Sequence, residues 1–282
     1  MSPVSYCKKI VRSFFEKFGL DVRRVRPKSR LGSPKYSNFN EEEIVRDLVE
    51  ALSVKRRFCV DIGAADGVSM SNSYTLFQSG WHGLAVEYDG DSFAKLAYRY
   101  SSLKGVNLAR ACVSPNNVLD LLSANDVPKD LGFLSLDIDG YDYFVLEKIL
   151  SEYRPSIICV EVNTIIPPPV KFSVTWSQDY SWHGGHFAGQ SIALVEELAK
   201  ERGYEIVTLE FNNLFLVPSE LNHHPALTAA EAYKKGYLDR PDRLEIHPLN
   251  KDMELLQTMP ADKAVAYLED YFKEYKGQFI IR

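Results

Sequence analysis

Acidic and glycine residues recur where apolar runs of this sequence end, and their spacing suits the binding of a small ligand. The apolar run that ends at Asp61 continues into Gly63 and Gly67, which gives the pattern D-x-G-x-x-x-G. Small residues at Gly63, Ala64 and Gly67 let a backbone turn tightly and approach a ligand, which can also face the free N–H groups of a following helix. Asp61 would repel a pyrophosphate, but it suits a ligand that carries an ammonium group.

A second acid, Glu87, ends the next apolar run. A carboxylate at this place in a parallel sheet can accept hydrogen bonds from both hydroxyls of a ribose. Tyr88 follows directly, and its ring can pack on the face of an adenine. A dinucleotide-binding sequence would carry three glycines as G-x-G-x-x-G, and only two are present here. The pattern therefore favours a nucleoside with a cationic substituent over a dinucleotide.

Further acids flank the ends of two later apolar runs. Asp137 and Asp139 bracket one end, while Glu161 and Asn163 bracket the next. Oxygen atoms from two adjacent strand ends can hold Mg²⁺, and an ion there would ease the loss of a proton from a substrate hydroxyl. In the alternative interpretation, Asp139 caps the following helix while Asp137 and Glu161 bind cofactor or substrate directly. Both interpretations stay open at this stage.

A long segment after residue 163 combines prolines, aromatic residues and two histidines. Long irregular segments in compact domains are commonly functional, and aromatic side chains can stack on a sugar ring or another planar substrate. A histidine that titrates near neutral pH is a suitable base for removing the proton of a hydroxyl. His183 and His186 are the candidates, and the alternative is that both are loop residues without a catalytic role.

The periodicity between these residues predicts a layered α/β architecture. Apolar runs that read as strands alternate with segments of helical periodicity, which requires a mainly parallel sheet covered on both faces. We therefore predict a doubly wound sheet of seven strands, with helical appendages at both ends of the chain. The predicted strands are 58–61, 83–87, 106–113, 133–137, 157–162, 204–209 and 214–217, of which the last two form an antiparallel pair.

Charge and composition divide the chain into three predicted parts. Residues 1–40 form a basic helix and linker, 41–220 the α/β domain, and 221–282 a helical appendage whose role the sequence does not define. Residues 1–30 hold nine Lys and Arg against two acids, whereas the whole chain of 282 residues has a net charge of −5. This acidic balance argues against wholesale wrapping of nucleic acid. The basic segment predicts either docking on an anionic membrane surface or partner, or a helix packed on the body.

The location is predicted to be cytoplasmic, with peripheral contact at the inner face of a membrane through residues 1–30 as the alternative. No apolar run reaches the roughly 18 residues that span a bilayer, and no secretory leader is recognised. The four cysteines are scattered, and three lie in apolar runs, which is typical of core residues in a reducing compartment. An oligomer is compatible with the sequence.

Several of these segments together resemble one enzyme family. The runs VDIGAADG, SNS, GWHGLAVE and LSLDIDGYDY are similar to those of class I S-adenosylmethionine-dependent methyltransferases, closest to the FkbM-type branch, between Arg57 and Pro218. The resemblance implies a Rossmann-like methyltransferase fold and the transfer of methyl groups to hydroxyls, often of sugars or natural products.

The resemblance also implies roles for individual residues. Asp61, Gly63 and Gly67 would frame the methionine moiety of S-adenosylmethionine, and Glu87 would hold its ribose. Asp137 would face the cofactor amine or a metal. The remaining implied cofactor residues are Ala64, Ser71, Asn72, Tyr88, Cys112 and Val113, where Cys112 and Val113 line the adenine pocket or are plain strand core.

The resulting hypothesis is an O-methyltransferase that uses S-adenosylmethionine, with Mg²⁺ as an optional second cofactor, and acts on a glycan or another small polar acceptor. Two rivals stay open. The basic segment allows methylation of RNA or protein, and the fold allows a non-catalytic scaffold that docks through residues 1–30.

Overall fold

Seven strands pair into one sheet in the computed structural model, which describes residues 35–223 and 225–282. In chain order the strands are β1 (Phe58–Ile62), β2 (His82–Glu87), β3 (Val106–Arg110), β4 (Phe133–Leu136), β5 (Ile157–Glu161), β6 (Phe172–Val174), β7 (Tyr204–Glu210), β8 (Asn213–Pro218) and β9 (Phe279–Ile281). The order across the sheet is β3-β2-β1-β4-β5-β8-β7, where β1 to β5 run parallel and β8 is antiparallel to both neighbours. The predicted doubly wound, mainly parallel seven-stranded sheet is thus confirmed.

Helices connect the parallel strands and cover the sheet. Local sequence fixes where two of them begin, because the side chains of Asp89 and Ser191 accept hydrogen bonds from the N–H groups of Ser92 and Leu194. The α-helices are α1 (Glu41–Ala51), α2 (Tyr74–Gln78), α3 (Gly90–Tyr100), α4 (Val118–Ala124), α5 (Asp142–Ile149), α6 (Ile192–Glu201), α7 (Ala229–Tyr233), α8 (Arg243–Ile246) and α9 (Ala261–Tyr271). Lys234–Leu238 form a π-helical turn, while Pro248–Thr258 and Lys273–Tyr275 are 3₁₀ helices.

The two faces of the sheet belong to two separate apolar cores. Val60 and Leu84 point into one cluster, whereas the neighbouring Cys59 and Ala85 point into the other, and all four are completely buried. Because successive side chains of a strand alternate between faces, a strand buried on both sides must be apolar without interruption. This explains why the central strands appear in the sequence as continuous apolar runs.

A third apolar cluster joins the segment after β5 to the C-terminal part of the chain. Phe172 and Phe187 pack with Leu256, Leu268 and Phe272. The short strands β6 and β9 pair antiparallel beside this cluster. Contacts join Tyr36–Arg282 into one compact unit, and the domain boundaries at 40/41 and 220/221 stay predictions.

The structure corrects several predicted elements. The strand predicted over 106–113 ends at Arg110, because β2, its neighbour among the described strands, ends at Glu87, which is paired with Arg110. The segment after residue 163, interpreted as irregular, contains β6, and the pairing of β6 with β9 was not predicted.

The amphipathic helix and membrane contact predicted for residues 1–30 lie outside the described residues. Of the helices that the structure describes, none has the length and apolar character needed to cross a membrane.

Candidate functional site

A cavity of about 430 Å³ opens at the carboxyl-terminal edge of the parallel strands, where ligands bind in folds of this kind. Its size is within the usual range for small-molecule sites. Tyr180, Ser181 and Trp182 close one side. The predicted site residues that line the cavity are Asp61, Gly63, Ala64, Ser71, Asn72, Glu87, Tyr88, Cys112, Val113, Asp137 and Asp139.

The turn after β1 is held in its shape by contacts that only glycine allows. Gly63 has a φ of +89°, and a Cβ on it would lie 1.6 Å from the carbonyl oxygen of Asp137. Gly67, with a φ of +79°, lies beneath the Tyr100 ring, and the Tyr100 hydroxyl donates to its carbonyl oxygen at 2.7 Å. Gly67 therefore shapes the turn without lining the cavity.

Asp61 lies at the floor of the cavity and is almost completely buried. The Ser73 hydroxyl donates to its carboxylate at 2.5 Å, and Ser135 also hydrogen-bonds to it. Burial raises the pKa of Asp61 to about 6, since these hydrogen bonds only partly offset the loss of water, and the charge of Glu87 adds to the rise.

This raised pKa predicts how the stability of the free protein depends on pH. A carboxyl group whose pKa rises from 3.8 to about 6 on folding stabilises the protein fully below pH 3.8, and this contribution is lost as the pH rises through 6. We expect Asp61→Asn to increase the free energy of unfolding by about 1–2 kcal/mol at pH 8, after a lost hydrogen bond is subtracted from the ionisation cost. The gain should vanish near pH 4, as measured by urea unfolding.

Asp66 provides a control, because substituting it is expected to change the free energy of unfolding in the opposite direction. Burial raises its pKa, but N–H groups of Ser69 and Val68 outweigh burial and bring the pKa down to about 2. Asp66→Asn should therefore destabilise the protein at pH 8. Equal effects of the two substitutions at pH 8 would contradict this account of Asp61.

Glu87 ties two loops of the cavity together. One carboxylate oxygen accepts the N–H of Ala65 at 2.7 Å and the other accepts the N–H of Asp89 at 2.6 Å. Each oxygen keeps a second lone pair for a ligand hydroxyl. Tyr88 stands at the mouth of the cavity with 67% of its surface exposed, so its ring is open to a planar group.

The acids at the ends of β4 and β5 form one cluster. Oxygen atoms of Asp137, Asp139 and Glu161 lie within 4.8 Å of one another. Burial, together with the charges of Asp139 and Asp142, raises the pKa of Asp137 to about 7, although the side chain is reachable from the cavity. Burial likewise raises the pKa of Glu161 well above its ordinary value, and this group hydrogen-bonds with Asp137. A hydrogen bond between two carboxyl groups requires a proton on one of them, so this pair binds a proton more readily than two separate carboxylates.

Asp139 is held by the loop around it. It has a φ of +55°, which is strained for a residue with a side chain. Its carbonyl oxygen accepts the Tyr180 hydroxyl at 2.9 Å, and the Asp142 carboxylate accepts the N–H groups of Ile138 and Gly140. Among residues 35–223 and 225–282, nothing hydrogen-bonds to the Asp139 carboxylate. Its pKa is raised by burial.

Five predicted site residues do not line the cavity, namely Gly67, Glu161, Asn163, His183 and His186. The Asn163 amide donates to the carbonyl oxygens of His186 and Ala188, so it does not join the acid cluster. His186 instead pairs with Asp252 at 2.9 Å, and His183 is exposed on the loop. The structure thus does not bring Asn163, His183 or His186 to the site where they were predicted to act.

Sequence reasoning missed two buried residues behind the cavity, Glu41 and Asn213. The Asn213 amide donates to the Glu41 carboxylate at 2.9 Å and approaches Asn72, which lines the cavity. These residues are far apart in the sequence, and no motif connects them.

Comparisons with known proteins add the following. No protein-family model matches the chain, and no curated protein matches it. Solved structures do match, among them the N-terminal domain of EvdMO1 with S-adenosylhomocysteine bound, at 11% identity and a TM-score of 0.44, covering 75% of this chain and 96% of that one.

Two further structures are similar to the same degree. One is S-adenosylmethionine-bound CalS10, an amino pentose methyltransferase from Micromonospora echinaspora, at 10% identity and a TM-score of 0.41, covering 66% of this chain and 92% of that one. The other is magnesium protoporphyrin IX methyltransferase from Synechocystis PCC 6803, at 11% identity and a TM-score of 0.42, covering 75% and 99%. At such TM-scores the likeness gives no information about the chemistry of this chain.

Proposed function

We propose that this chain is an S-adenosylmethionine-dependent O-methyltransferase that acts on a hydroxyl of a carbohydrate or another small polar acceptor. The observation that carries the proposal is the pair of carboxylates, Asp61 and Glu87, placed on either side of the Gly63 turn in one cavity. Asp61 suits the ammonium group of the cofactor and Glu87 suits its ribose hydroxyls. Cys112 and Val113, after β3, suit the adenine.

The charge of the cavity fits this cofactor. Four acids line it, namely Asp61, Glu87, Asp137 and Asp139, while no Lys, Arg or His does so within the described part of the chain. A cationic ligand is therefore favoured by the field of the cavity. A buried acceptor, the Oδ1 atom of Asn72, has no hydrogen-bond partner among residues 35–223 and 225–282, and a ligand donor would satisfy it.

The bound cofactor supplies an electrophilic methyl group on a sulfonium. The residues of this chain then have three tasks, which are to hold the acceptor, to accept its proton and to exclude water. Asp139 presents a carboxylate to the cavity, and its raised pKa makes it a stronger base than an ordinary aspartate. Tyr180 and Trp182 form the wall that an acceptor would contact. Because neither His183 nor His186 lines the cavity, we assign to Asp139 the role of accepting the proton of the acceptor hydroxyl.

The FkbM-type resemblance supports a hydroxyl acceptor, and the aromatic wall supports a sugar ring. The cavity gives less support to RNA, because an acid-lined wall repels phosphates. A scaffold without catalysis does not require a ligand cavity of this charge. The predicted oligomer stays a prediction.

A divalent ion remains a proposal of its own. Asp137, Asp139 and Glu161 offer oxygen atoms close enough to hold Mg²⁺, although the fourth predicted ligand, Asn163, is turned elsewhere. Such an ion would lower the pKa of a bound hydroxyl and would displace a proton bound by the pair of Asp137 and Glu161.

Calorimetric titration with S-adenosylhomocysteine, in Mg²⁺ and again in EDTA, tests the proposal. We expect binding to the natural protein, and a loss of about 10- to 100-fold in Glu87→Ala, since hydrogen bonds to a charged acceptor contribute about 1.5–3 kcal/mol. Asp91→Ala, an exposed acid near the same turn, should bind normally. Folded natural protein that does not bind the ligand would refute the proposal.

A further inference from the structure

A line of buried polar side chains runs from the start of α1 to the cavity. Glu41, on α1, is completely buried, Asn213 begins β8, and Asn72 lies in the loop before α2 at the cavity wall. All three are at least nine-tenths buried. Buried polar groups at this depth need partners, so the direction of each amide is informative.

The carboxylate of Glu41 fixes the direction of the first amide. Its Oε2 atom accepts the N–H of Phe39 at 2.7 Å, and its Oε1 atom accepts the Nδ2 group of Asn213 at 2.9 Å. Both contacts are donated to the carboxylate, and they offset part of the rise in the Glu41 pKa that burial causes. Asn213 must therefore turn its Nδ2 group to Glu41 and its Oδ1 atom to the opposite side.

The second amide follows from the first. The Oδ1 atom of Asn213 accepts the Nδ2 group of Asn72 at 3.4 Å, and the thiol of Cys159 lies 3.6 Å from the same oxygen. Asn72 therefore points its Nδ2 group at Asn213, and its Oδ1 atom points away from Asn213. That Oδ1 atom is buried and has no donor among the described residues.

The position of Asn72 indicates which part of a ligand it serves. Asn72 contacts β5 and β8 through Cys159 and Asn213, whereas Glu87 and Cys112 lie across the sheet at β2 and after β3. Ser73, the next residue, donates to Asp61, so the acidic floor of the cavity adjoins Asn72. A positively charged donor is favoured at this end.

We propose that Glu41 and Asn213 are positioning residues that hold Asn72 as a hydrogen-bond acceptor for the ammonium group at the amino-acid end of the cofactor. The inference rests on the proposed function, because it concerns the same cavity. It adds that an acid on α1, outside the cavity, sets the hydrogen-bonding polarity of the cavity wall.

Glu41→Gln is expected to reverse the direction of the hydrogen bonds along this line, while the size of the side chain stays the same. The glutamine amide has one acceptor for two donors, the Phe39 N–H and the Asn213 Nδ2 group, so Asn213 and then Asn72 must invert. Asn72 would then offer a donor to the cavity, which repels an ammonium group. The double substitution Glu41→Gln, Asn213→Asp exchanges amide and carboxylate, and every hydrogen bond of the line can form again with Asn72 in its original direction.

The test compares two ligands that share their adenosine and thioether. S-adenosylhomocysteine carries the amino-acid end and 5′-methylthioadenosine lacks it. By calorimetry we expect Glu41→Gln to weaken the binding of S-adenosylhomocysteine about tenfold, which equals about 1.4 kcal/mol. The affinity for methylthioadenosine should stay within about twofold of that of the natural protein. The double variant should recover most of the lost affinity. Glu231→Gln is the matched control, because Glu231 also accepts a backbone N–H near a helix start but does not line the cavity.

Three results would overturn the positioning role of Glu41 and Asn213. They are unchanged binding in Glu41→Gln, an equal loss of affinity for both ligands, and a double variant that does not recover its affinity. If Glu41→Gln does not fold, the double variant still tests the inference, since it must bind both ligands normally. Natural protein that binds neither ligand would instead refute the proposed function.

Discussion

Gly63→Ala is expected to destabilise the protein by about 4 kcal/mol or more, which is an exceptional loss for one methyl group. The added Cβ would lie 1.6 Å from the carbonyl oxygen of Asp137 and 2.8 Å from its carbonyl carbon. These are backbone atoms at the end of β4, so no side chain can rotate to make room. The positive φ adds a further penalty for any residue other than glycine.

Gly80→Ala separates the two contributions. Gly80 has a φ of +85°, yet a Cβ there would meet no atom of the described residues within 4 Å, so this variant has the conformational penalty alone. We expect it to lose about 1 kcal/mol in urea unfolding. If Gly63→Ala unfolds no more easily than Gly80→Ala, the result would contradict the close contact between the turn after β1 and the backbone of Asp137.

Asp139→Asn is expected to reduce methyl transfer by about 100- to 10,000-fold, the usual contribution of a positioned general base. Its amide cannot accept the proton of an acceptor hydroxyl. The affinity for S-adenosylhomocysteine should change little, because the proposed cofactor contacts are made by Asp61, Asn72 and Glu87. A selective loss of turnover would therefore assign Asp139 to the acceptor side of the cavity.

The measurement is methyl transfer from labelled S-adenosylmethionine to acceptors found in a screen of monosaccharides, together with calorimetry of the product. His186→Ala is the informative companion, since His186 is the rival base and pairs with Asp252 outside the cavity. If methyl transfer falls a hundredfold in His186→Ala and is unchanged in Asp139→Asn, the general base is His186 on the loop and not Asp139.

The fold, and the gathering of several acids at one edge of the sheet, can be predicted from sequence because local patterns encode them. The strands are buried on both faces, so they are apolar without interruption, and parallel strands bring Asp61, Glu87 and Asp137 to one edge of the sheet. Each of these residues lies at the end of its strand or one position from it, and a small error in the strand boundary does not move it to another part of the molecule.

The acceptor side could not be predicted in the same way. The path of the loop that carries His183 and His186 is set by contacts with distant residues, including Asp252 and Phe272, and no local pattern records them. The same holds for Glu41 and Asn213, whose pairing is visible only when α1 and β8 are packed together. Periodicity predicts which face of an element is buried, but not which polar groups meet beneath it.

The pairing of β6 with β9 has a consequence for the order in which the protein matures during translation. Residues 58–218 contain all the strands of the main sheet, so the cofactor side can assemble before the remaining residues are made. The acceptor loop follows β6, and its Phe187 stacks on Tyr275 while Lys171 exchanges two backbone hydrogen bonds with Arg282. On the ribosome, a nascent chain can therefore complete the main sheet, with Asp61, Glu87 and Asp137 at its edge, before residues 271–282 that contact the segment around β6 are made.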